Sequence, residues 1–274
     1  VSINTSDEDL SISIQTQKKN LNATLKIIKE SMFEPKFDQT EFELEKKKQL
    51  DGISQSQTNA SALADMAYKK LLYGQNNVMG YPSNGNAETV ASITLEDVKN
   101  HYALINSSML SIAVSGDVTQ DEITNELSFL SQLKQGSLIS FDNTEITKID
   151  KTKIYFVDKK NAAQSEIRIG YIALPFEALG DFYKSSIMNF SFAGAFNSRI
   201  NFLLREVKGW TYGTRGGFSG TQFAGPYTIS GGFKANTTDS TLVEIFKELK
   251  KYSEAGILEE ELSFTKNAMA QSDA

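Results

Sequence analysis

The chain has 274 residues, 40% of them hydrophobic and 23% charged, which is typical of globular domains with a real core. A net charge of -6 argues against a nucleic-acid binder, and no apolar run approaches the roughly 18 residues that span a bilayer. The absence of cysteine excludes thiol chemistry, and the single histidine, His101, argues against a zinc site held by this chain alone. We expect no signal peptide in this sequence. The composition does not determine the cellular compartment, and the bacterial periplasm or cell envelope is weakly favoured.

The first third of the chain predicts one strand and three helices. "DLSISIQT" alternates apolar and polar residues, which is typical of a half-buried strand. The helix after it stops before Pro35, and Asp38 or Thr40 is expected to cap a second, charged helix. "SALADMAYKKLLYG" predicts a third helix with Gly74 as its C-cap.

The next segments predict a helix, a strand and a helix. Thr94 and Asp97 form a capping box for "SITLEDVKNHYAL". "SMLSIAVSGDV" predicts a buried strand that begins at Met109, and "TQDEITNELSFLSQL" predicts another helix. The polar, aperiodic residues 134–151 are interpreted as an interdomain linker.

After the linker, strands and helices come in pairs. "KIYFVDK" and "SEIRIGYIAL" predict strands, and "DFYKSSIMNFSFAG" and "FNSRINFLLREV" predict helices. "WTYGTRGGFSG" and "GPYTISGGFKA" predict strands, and the chain continues with "DSTLVEIFKELKKYSEAG" and "LEEELSFTKNAMA" as helices.

An internal similarity links the two ends of the chain. "LSISIQTQKKNLNATLKIIKE" from Leu10 and "YTISGGFKANTTDSTLVEIFKE" from Tyr227 both read as a strand, a polar cap and an amphipathic helix, and a second helix follows each copy. Two copies of one module predict a repeating unit of about 220 residues. We therefore expect residues 1–133 to be the back half of one unit and residues 152–274 the front half of the next.

Three stretches resemble the pitrilysin/insulinase family of zinc metallopeptidases, the inverted-zincin group. "LLREVKGWTYGTRGGFSG" resembles its "LREKKGLAYSVSS" motif, and "FNSRINFLLRE" resembles its "SRLFQELRE" helix. "LLYGQNNVMGYPSNGNAETVASITLEDVKNHYALINSSMLSIAVSGDV" is similar to a family stretch from a "YG…P..G" loop to an "N..L.VVGD" strand. The resemblance covers most of the chain. It implies an α+β fold of two mitochondrial-processing-peptidase-like units, each a mainly antiparallel sheet with packed helices.

The family's zinc site is absent from this sequence. That site consists of an H-x-x-E-H helix and a distant glutamate. The sequence has no H-x-x-E-H, and the glutamate position falls on Gly52, beside Asp51. The resemblance therefore implies the non-metal half of a peptidase, with no cofactor in this chain. Zinc is expected in a partner half, on the same full-length chain or on a partner subunit.

Arg205 and Tyr212 are the candidate catalytic residues. From the local pattern alone, Arg205 is a cation at a helix C-terminus capped by Gly209, and Tyr212 is a strand aromatic. In the family, an arginine and a tyrosine at this spacing come from the non-metal half and reach the zinc site of the other half. The resemblance implies that both donate hydrogen bonds to the scissile carbonyl and stabilise its oxyanion.

Other patterns favour structural roles. The glycines at 209, 213, 216, 217 and 220 could expose a strand edge to a peptide, but bulges and close packing are the preferred interpretation. His101 has no partner cluster, so we expect a surface or packing role. Lys46 to Lys48 are expected to form a solvated helix face.

The leading hypothesis is the non-zinc-binding part of a zinc-dependent endopeptidase that degrades or processes peptides, a piece that is inactive alone. The alternative is a catalytically inactive structural or assembly subunit of the same superfamily. A peptide-binding module without hydrolysis is a third reading. The expected partners are the zinc-bearing half and a peptide, with neither nucleic acid nor a membrane span.

Overall fold

The computed structural model describes residues 1–6, 8–74, 77–138, 146 and 149–272. The strands are β1 (Ser2–Thr5), β2 (Leu10–Ser13), β3 (Gln164–Ile172), β4 (Thr211–Phe218) and β5 (Pro226–Lys234). The helices are α1 (Leu21–Phe33), α2 (Gln39–Ser56), α3 (Ala60–Tyr73), α4 (Ala87–Ser92), α5 (Leu95–Tyr102), α6 (Gln120–Glu126), α7 (Asp181–Asn189), α8 (Arg199–Asn201), α9 (Thr238–Ala255) and α10 (Glu259–Ser272). In these ranges, no helix combines the length and the apolar character needed to cross a membrane.

These elements form two compact units. Unit 1 comprises Val1–Gln55 and Ser83–Thr144, and unit 2 comprises Ser56–Pro82 and Glu145–Ala274. Unit 2 thus contains α3, which precedes the predicted linker in the chain. Much of that linker, residues 139–145, 147 and 148, lies outside the described residues. The boundaries at residues 133 and 152 stay a prediction.

Unit 1 combines a two-stranded hairpin with helices, several of which begin at a side-chain cap. β1 pairs antiparallel with β2, from Ser2 opposite Ser13 to Thr5 opposite Leu10. The capping box predicted for α5 is confirmed, because the Thr94 and Asp97 side chains each accept a hydrogen bond from the other residue's backbone N–H. Asp38 caps α2 by accepting from two backbone N–H groups.

Two predicted strands are wrong. Ser107–Met109 form a 3-10 turn, and Leu110, Ile112 and Val114 continue as exposed irregular chain. The segment "KIYFVDK" of unit 2 forms no strand either, and Phe156 in it is 86% exposed. A strand needs a neighbour that takes its backbone hydrogen bonds. None of the described strands pairs with either segment.

The sheet of unit 2 carries the larger core. Its order is β3-β5-β4, and both pairings are antiparallel. One face packs against α7, α8, α9 and the π-helical turns that continue α7 and α8, Phe190–Gly194 and Phe202–Val207. The buried cluster on this face includes Ile167, Ile200, Leu204, Ile229, Phe233 and Ile245. The opposite face is partly covered by α3, where the hydroxyl of Tyr68 lies 2.8 Å from that of Thr228.

The two copies of the predicted repeat have the same order of elements. β2 is followed by a 3-10 turn at Lys18–Asn20, then by α1 and α2. β5 is likewise followed by a 3-10 turn at Ala235–Thr237, then by α9 and α10. The strand–helix–helix pattern read from the sequence is therefore present at both positions.

Arg199 of α8 and Glu261 of α10 form a bidentate ion pair. The arginine Nε lies 2.8 Å from Oε1 and Nη2 lies 2.7 Å from Oε2 of the carboxylate. The backbone N–H of Leu258 also donates to this carboxylate, at 2.9 Å. Burial raises the pKa of Glu261, but the hydrogen bonds from Arg199 and Leu258 and the charge of Arg199 outweigh it, so the pKa lies below its ordinary value.

We expect Glu261→Gln to lower the free energy of unfolding by about 2 kcal/mol at neutral pH. Because the folded state depresses the pKa of Glu261, this stabilisation is present above the unfolded-state pKa and is lost as pH falls through the folded-state pKa. Urea unfolding at pH 7 and in acid measures the gap between wild type and variant. Glu260→Gln, at an exposed position of the same helix, is the control. An equal gap at both pH values would contradict the assignment.

Candidate functional site

Arg205 lies in the π-helical turn Phe202–Val207 that leads into β4. Its guanidinium carbon lies 4.5 Å from the centre of the Phe196 ring. Its Nη1 is buried and has no hydrogen-bond partner among the described residues. The nearest carboxylate oxygen, of Glu206, is 3.5 Å away, which is longer than a good hydrogen bond. Arg205 therefore holds an unused donor.

Tyr212 lies at the start of β4 in an irregular stretch of the ladder between Thr211 and Thr214. The prediction of Gly209 as a helix cap is consistent with its φ of 64°, a left-handed value that favours glycine. Tyr212 is 90% exposed, and its side chain makes no contact with Arg205 among the described residues. The structure places the two predicted residues on consecutive elements without joining them directly.

Arg215 and Phe196 belong to the same surface, and sequence reasoning missed both. The guanidinium carbon of Arg215 lies 5.6 Å from the centre of the Phe196 ring, so Arg205 and Arg215 share one aromatic ring. Phe196 itself is exposed. The available signal was an arginine inside a glycine-rich strand, "TRGG", close to Tyr212. The partner ring lies in the turn before α8, and its proximity depends on tertiary packing.

An open cavity of about 390 Å³ lies on the face of the sheet opposite the core. Tyr212, Arg215, Arg168 and Glu166 line it. Arg168 donates to Asp65 on α3 at 2.6 Å and to Glu166 at 3.2 Å. Burial lowers the pKa of Arg168, but the hydrogen bonds and charges of Asp65 and Glu166 outweigh it and raise the pKa above its ordinary value. The charge of Arg168 is thus already matched within the protein.

The outer edge of β4 is occupied by side chains. Asn201 accepts a hydrogen bond from the backbone N–H of Thr214 at 2.9 Å. Asn189 donates to the carbonyl of Gly216 at 2.7 Å, and its oxygen accepts from Tyr227 at 3.0 Å. Burial raises the pKa of Tyr227, so this hydroxyl stays protonated and can donate. These backbone groups are therefore not free to pair with an added peptide strand.

Close packing accounts for one of the glycines on this strand. A Cβ on Gly216 would lie 2.6 Å from the Cβ of Ala193, closer than real carbon contacts allow. The preferred interpretation of close packing therefore holds for Gly216, whereas a Cβ on Gly213 or Gly217 would meet no close neighbour.

The remaining candidates do not form a site. His101 is exposed near the end of α5. Lys46 donates to the carbonyl of Ile93 at 2.7 Å, and Lys48 contacts Glu45 at 2.6 Å on an exposed helix face. The lysine run is thus partly structural.

The residues present do not fit a zinc ion. No group of three His, Asp or Glu side chains in the described part of the chain could hold a metal. The sequence has no cysteine, a single histidine and no H-x-x-E-H. Zinc usually takes three or four such ligands.

Comparison with known proteins identifies similar chains. Residues 92–269 match the family described as "Peptidase M16 inactive domain". The chain is 26% identical to the "Non-peptidase homolog YmxG" of Helicobacter pylori, over 100% of this chain and 63% of the relative. It is 25% identical to the "Uncharacterized zinc protease YmxG" of Bacillus subtilis, over 92% of this chain and 60% of the relative. The chain thus spans about three fifths of the curated relatives it matches.

A solved structure supports the fold. The peptidase M16 inactive domain from Pseudomonas fluorescens superposes with a TM-score of 0.79 at 23% identity, over 92% of this chain and 61% of that one. At this level of identity the likeness concerns the fold. The predicted α+β class with antiparallel sheets and packed helices is confirmed.

Proposed function

Since the chain belongs to the peptidase M16 inactive domain family, we propose that it is the non-zinc-binding part of a zinc-dependent endopeptidase. This membership confirms the resemblance to pitrilysin/insulinase peptidases that the sequence motifs indicate. In the proposal, the zinc ion and its ligands reside in a partner half, on the same full-length chain or on another subunit. The substrate is a peptide, which the complete enzyme degrades or processes.

The observation that carries the proposal is a pair of unused hydrogen-bond donors. Arg205 has a buried Nη1 without a hydrogen-bond partner in the described ranges, and leaving a buried charged donor unpaired is costly. The Tyr212 side chain is almost fully exposed. The Tyr212 side chain is therefore open to a ligand, and the Arg205 side chain, which is 33% exposed, is accessible in part. A purely structural copy of the fold has no need for both.

The chemistry open to these residues is stabilisation of a polarised carbonyl. A guanidinium and a phenol both donate hydrogen bonds, and a peptide carbonyl oxygen gains negative charge as its carbon is attacked. Donors fixed before the reaction stabilise that charge more than they stabilise the ground state. The Phe196 ring holds Arg205 in place, so the side chain loses less conformational entropy when it binds a ligand.

The alternative is an inactive structural or assembly subunit. It is favoured by the relative from Helicobacter pylori, which is named a non-peptidase homolog. In that reading, Arg205 and Tyr212 would contact a partner protein or solvent. The third reading, peptide binding without hydrolysis, differs in whether a zinc-bearing partner exists.

Reconstitution separates these readings. The full-length protein is assayed against a quenched-fluorescence peptide library, alone and mixed with each H-x-x-E-H-bearing partner encoded by the same genome. If the zinc half is another subunit, we expect cleavage only in a mixture, and in either case inhibition by a zinc chelator. A full-length protein that carries its own H-x-x-E-H would cleave alone. Assembly with a partner but no cleavage of any peptide would support the structural alternative.

A further inference from the structure

Arg215 is the arginine whose charge the protein leaves unmatched on the cavity surface. The chain has four arginines, all in unit 2. Arg168 pairs with Asp65 and Glu166, and Arg199 pairs with Glu261. Arg215 forms no ion pair with the described carboxylates, and its Nη1 donates to the carbonyl of Thr214 at 3.1 Å. The rest of its five donors are free for a ligand.

The contact with Phe196 leaves the Arg215 guanidinium able to bind a planar group such as a carboxylate. The Phe196 ring lies 5.6 Å from the guanidinium carbon. A guanidinium that rests on a ring keeps its N–H groups, which lie in its own plane, free to form hydrogen bonds. That plane presents a fork that matches the two oxygens of a carboxylate. Arg205 contacts the same ring.

Among the described residues that line the cavity, no carboxylate is left unpaired for Arg215. Glu166 also lines the cavity, but it bonds Arg168 at 3.2 Å. A peptide in the cavity would contact Tyr212 and Arg215 on the same strand. A neutral peptide group there would leave the Arg215 charge desolvated without compensation. A carboxylate would compensate it.

We propose that Arg215, supported by Phe196, is a specificity-determining residue that binds a carboxylate of the peptide held at the Arg205 and Tyr212 site. The inference rests on the proposed function, because it names a substrate class for that same site. The carboxylate has two possible sources, an aspartate or glutamate side chain and the C-terminus of the peptide. Both present the same pair of oxygens to the guanidinium fork.

Binding of matched peptides to the full-length protein tests the proposal. Fluorescence anisotropy compares peptides that differ by Glu or Gln at one position, scanned along the peptide, and by a free or amidated C-terminus. We expect the wild-type protein to prefer one carboxylate-bearing series by about tenfold or more. The first comparison identifies a side chain as the source, and the second identifies the C-terminus. The preference should weaken as salt is raised.

Substitutions assign the preference to Arg215. Arg215→Gln should bring the ratio of affinities close to one, and Arg215→Lys should retain part of it because the charge remains without the fork. Lys184→Gln, an exposed position of α7, removes the same charge away from the cavity and should leave the ratio unchanged. Thermal unfolding confirms that the variants are folded. A wild-type ratio near one in every series, or a ratio that survives Arg215→Gln, would overturn the proposal.

The binding readout is independent of turnover. A carboxylate preference that depends on Arg215, in a protein that never yields cleavage, supports this site and contradicts the peptidase function. Cleavage of peptides without any carboxylate preference contradicts this site alone and leaves the peptidase function standing.

Discussion

Arg205→Ala and Tyr212→Phe should each lower kcat on a peptide by about 10²-fold or more in the reconstituted two-half enzyme. In the proposed role, each change removes a donor to the charge that develops on the carbonyl oxygen in the transition state. Arg205→Ala also removes the cation–π contact between Arg205 and the Phe196 ring. Tyr212→Phe removes one hydroxyl from an exposed ring, so a change in folding is not expected. Steady-state kinetics on a single fluorogenic peptide measures both effects.

The pattern of the loss distinguishes catalysis from simple binding. Loss of a donor that acts only in the transition state lowers kcat and kcat/KM together, whereas loss of uniform binding raises KM alone. Tyr183→Phe, another exposed tyrosine of unit 2, is the control and should leave kcat unchanged. Arg205→Lys should recover part of the rate, because it keeps the charge but not the planar fork. If both Arg205→Ala and Tyr212→Phe kept the wild-type kcat, the proposed catalytic role of these residues would be wrong.

Asn201→Ala should lower the free energy of unfolding by about 3 kcal/mol. The Asn201 side chain is 1% exposed. It accepts from the N–H of Thr214 at 2.9 Å and donates to the carbonyl of Phe196 at 2.6 Å. With alanine at position 201, the N–H of Thr214 and the carbonyl of Phe196 lose their side-chain hydrogen-bond partner in the protein interior. Each unsatisfied group costs about 1–3 kcal/mol.

The same substitution should also loosen the site. Asn201 ties the Phe196 loop to β4, and both Arg205 and Arg215 rest on the Phe196 ring. We expect weaker peptide binding in Asn201→Ala at temperatures where the variant is still folded. Asn197→Ala, at an exposed position of the same loop, is the control for stability and binding. A destabilised variant with wild-type affinity would show that Asn201 supports the fold but not the site.

Much of unit 2 was predictable from local pattern. In "SEIRIGYIAL" and "GPYTISGGFKA", apolar and polar residues alternate or β-branched residues occur, and both patterns favour strands. β3 and β5 form there. The cap at Gly74 follows from glycine's tolerance of positive φ, and the structure has φ 83° at that residue. The strand predicted at Met109 failed, because local pattern does not reveal whether a neighbouring strand is present to pair with it.

The candidate site was predictable only in part. Arg205 and Tyr212 could be named because they lie within one short motif whose spacing is visible in the sequence. Arg215 lies three residues further on, but its unmatched charge depends on where every carboxylate lies. Nothing in the sequence around Arg168 reveals its partner, because Asp65, which bonds it at 2.6 Å, lies 103 residues away in the chain.

The sequence by itself determined the family, the α+β class and the lack of zinc ligands. Each of these follows from residue types and short spacings that are set before the chain folds. Tertiary structure alone decided which charges are matched, which strand edge is occupied by Asn189 and Asn201, and which ring the two arginines share. These properties depend on groups brought together from distant segments, and their energies arise only after packing has removed water from between them.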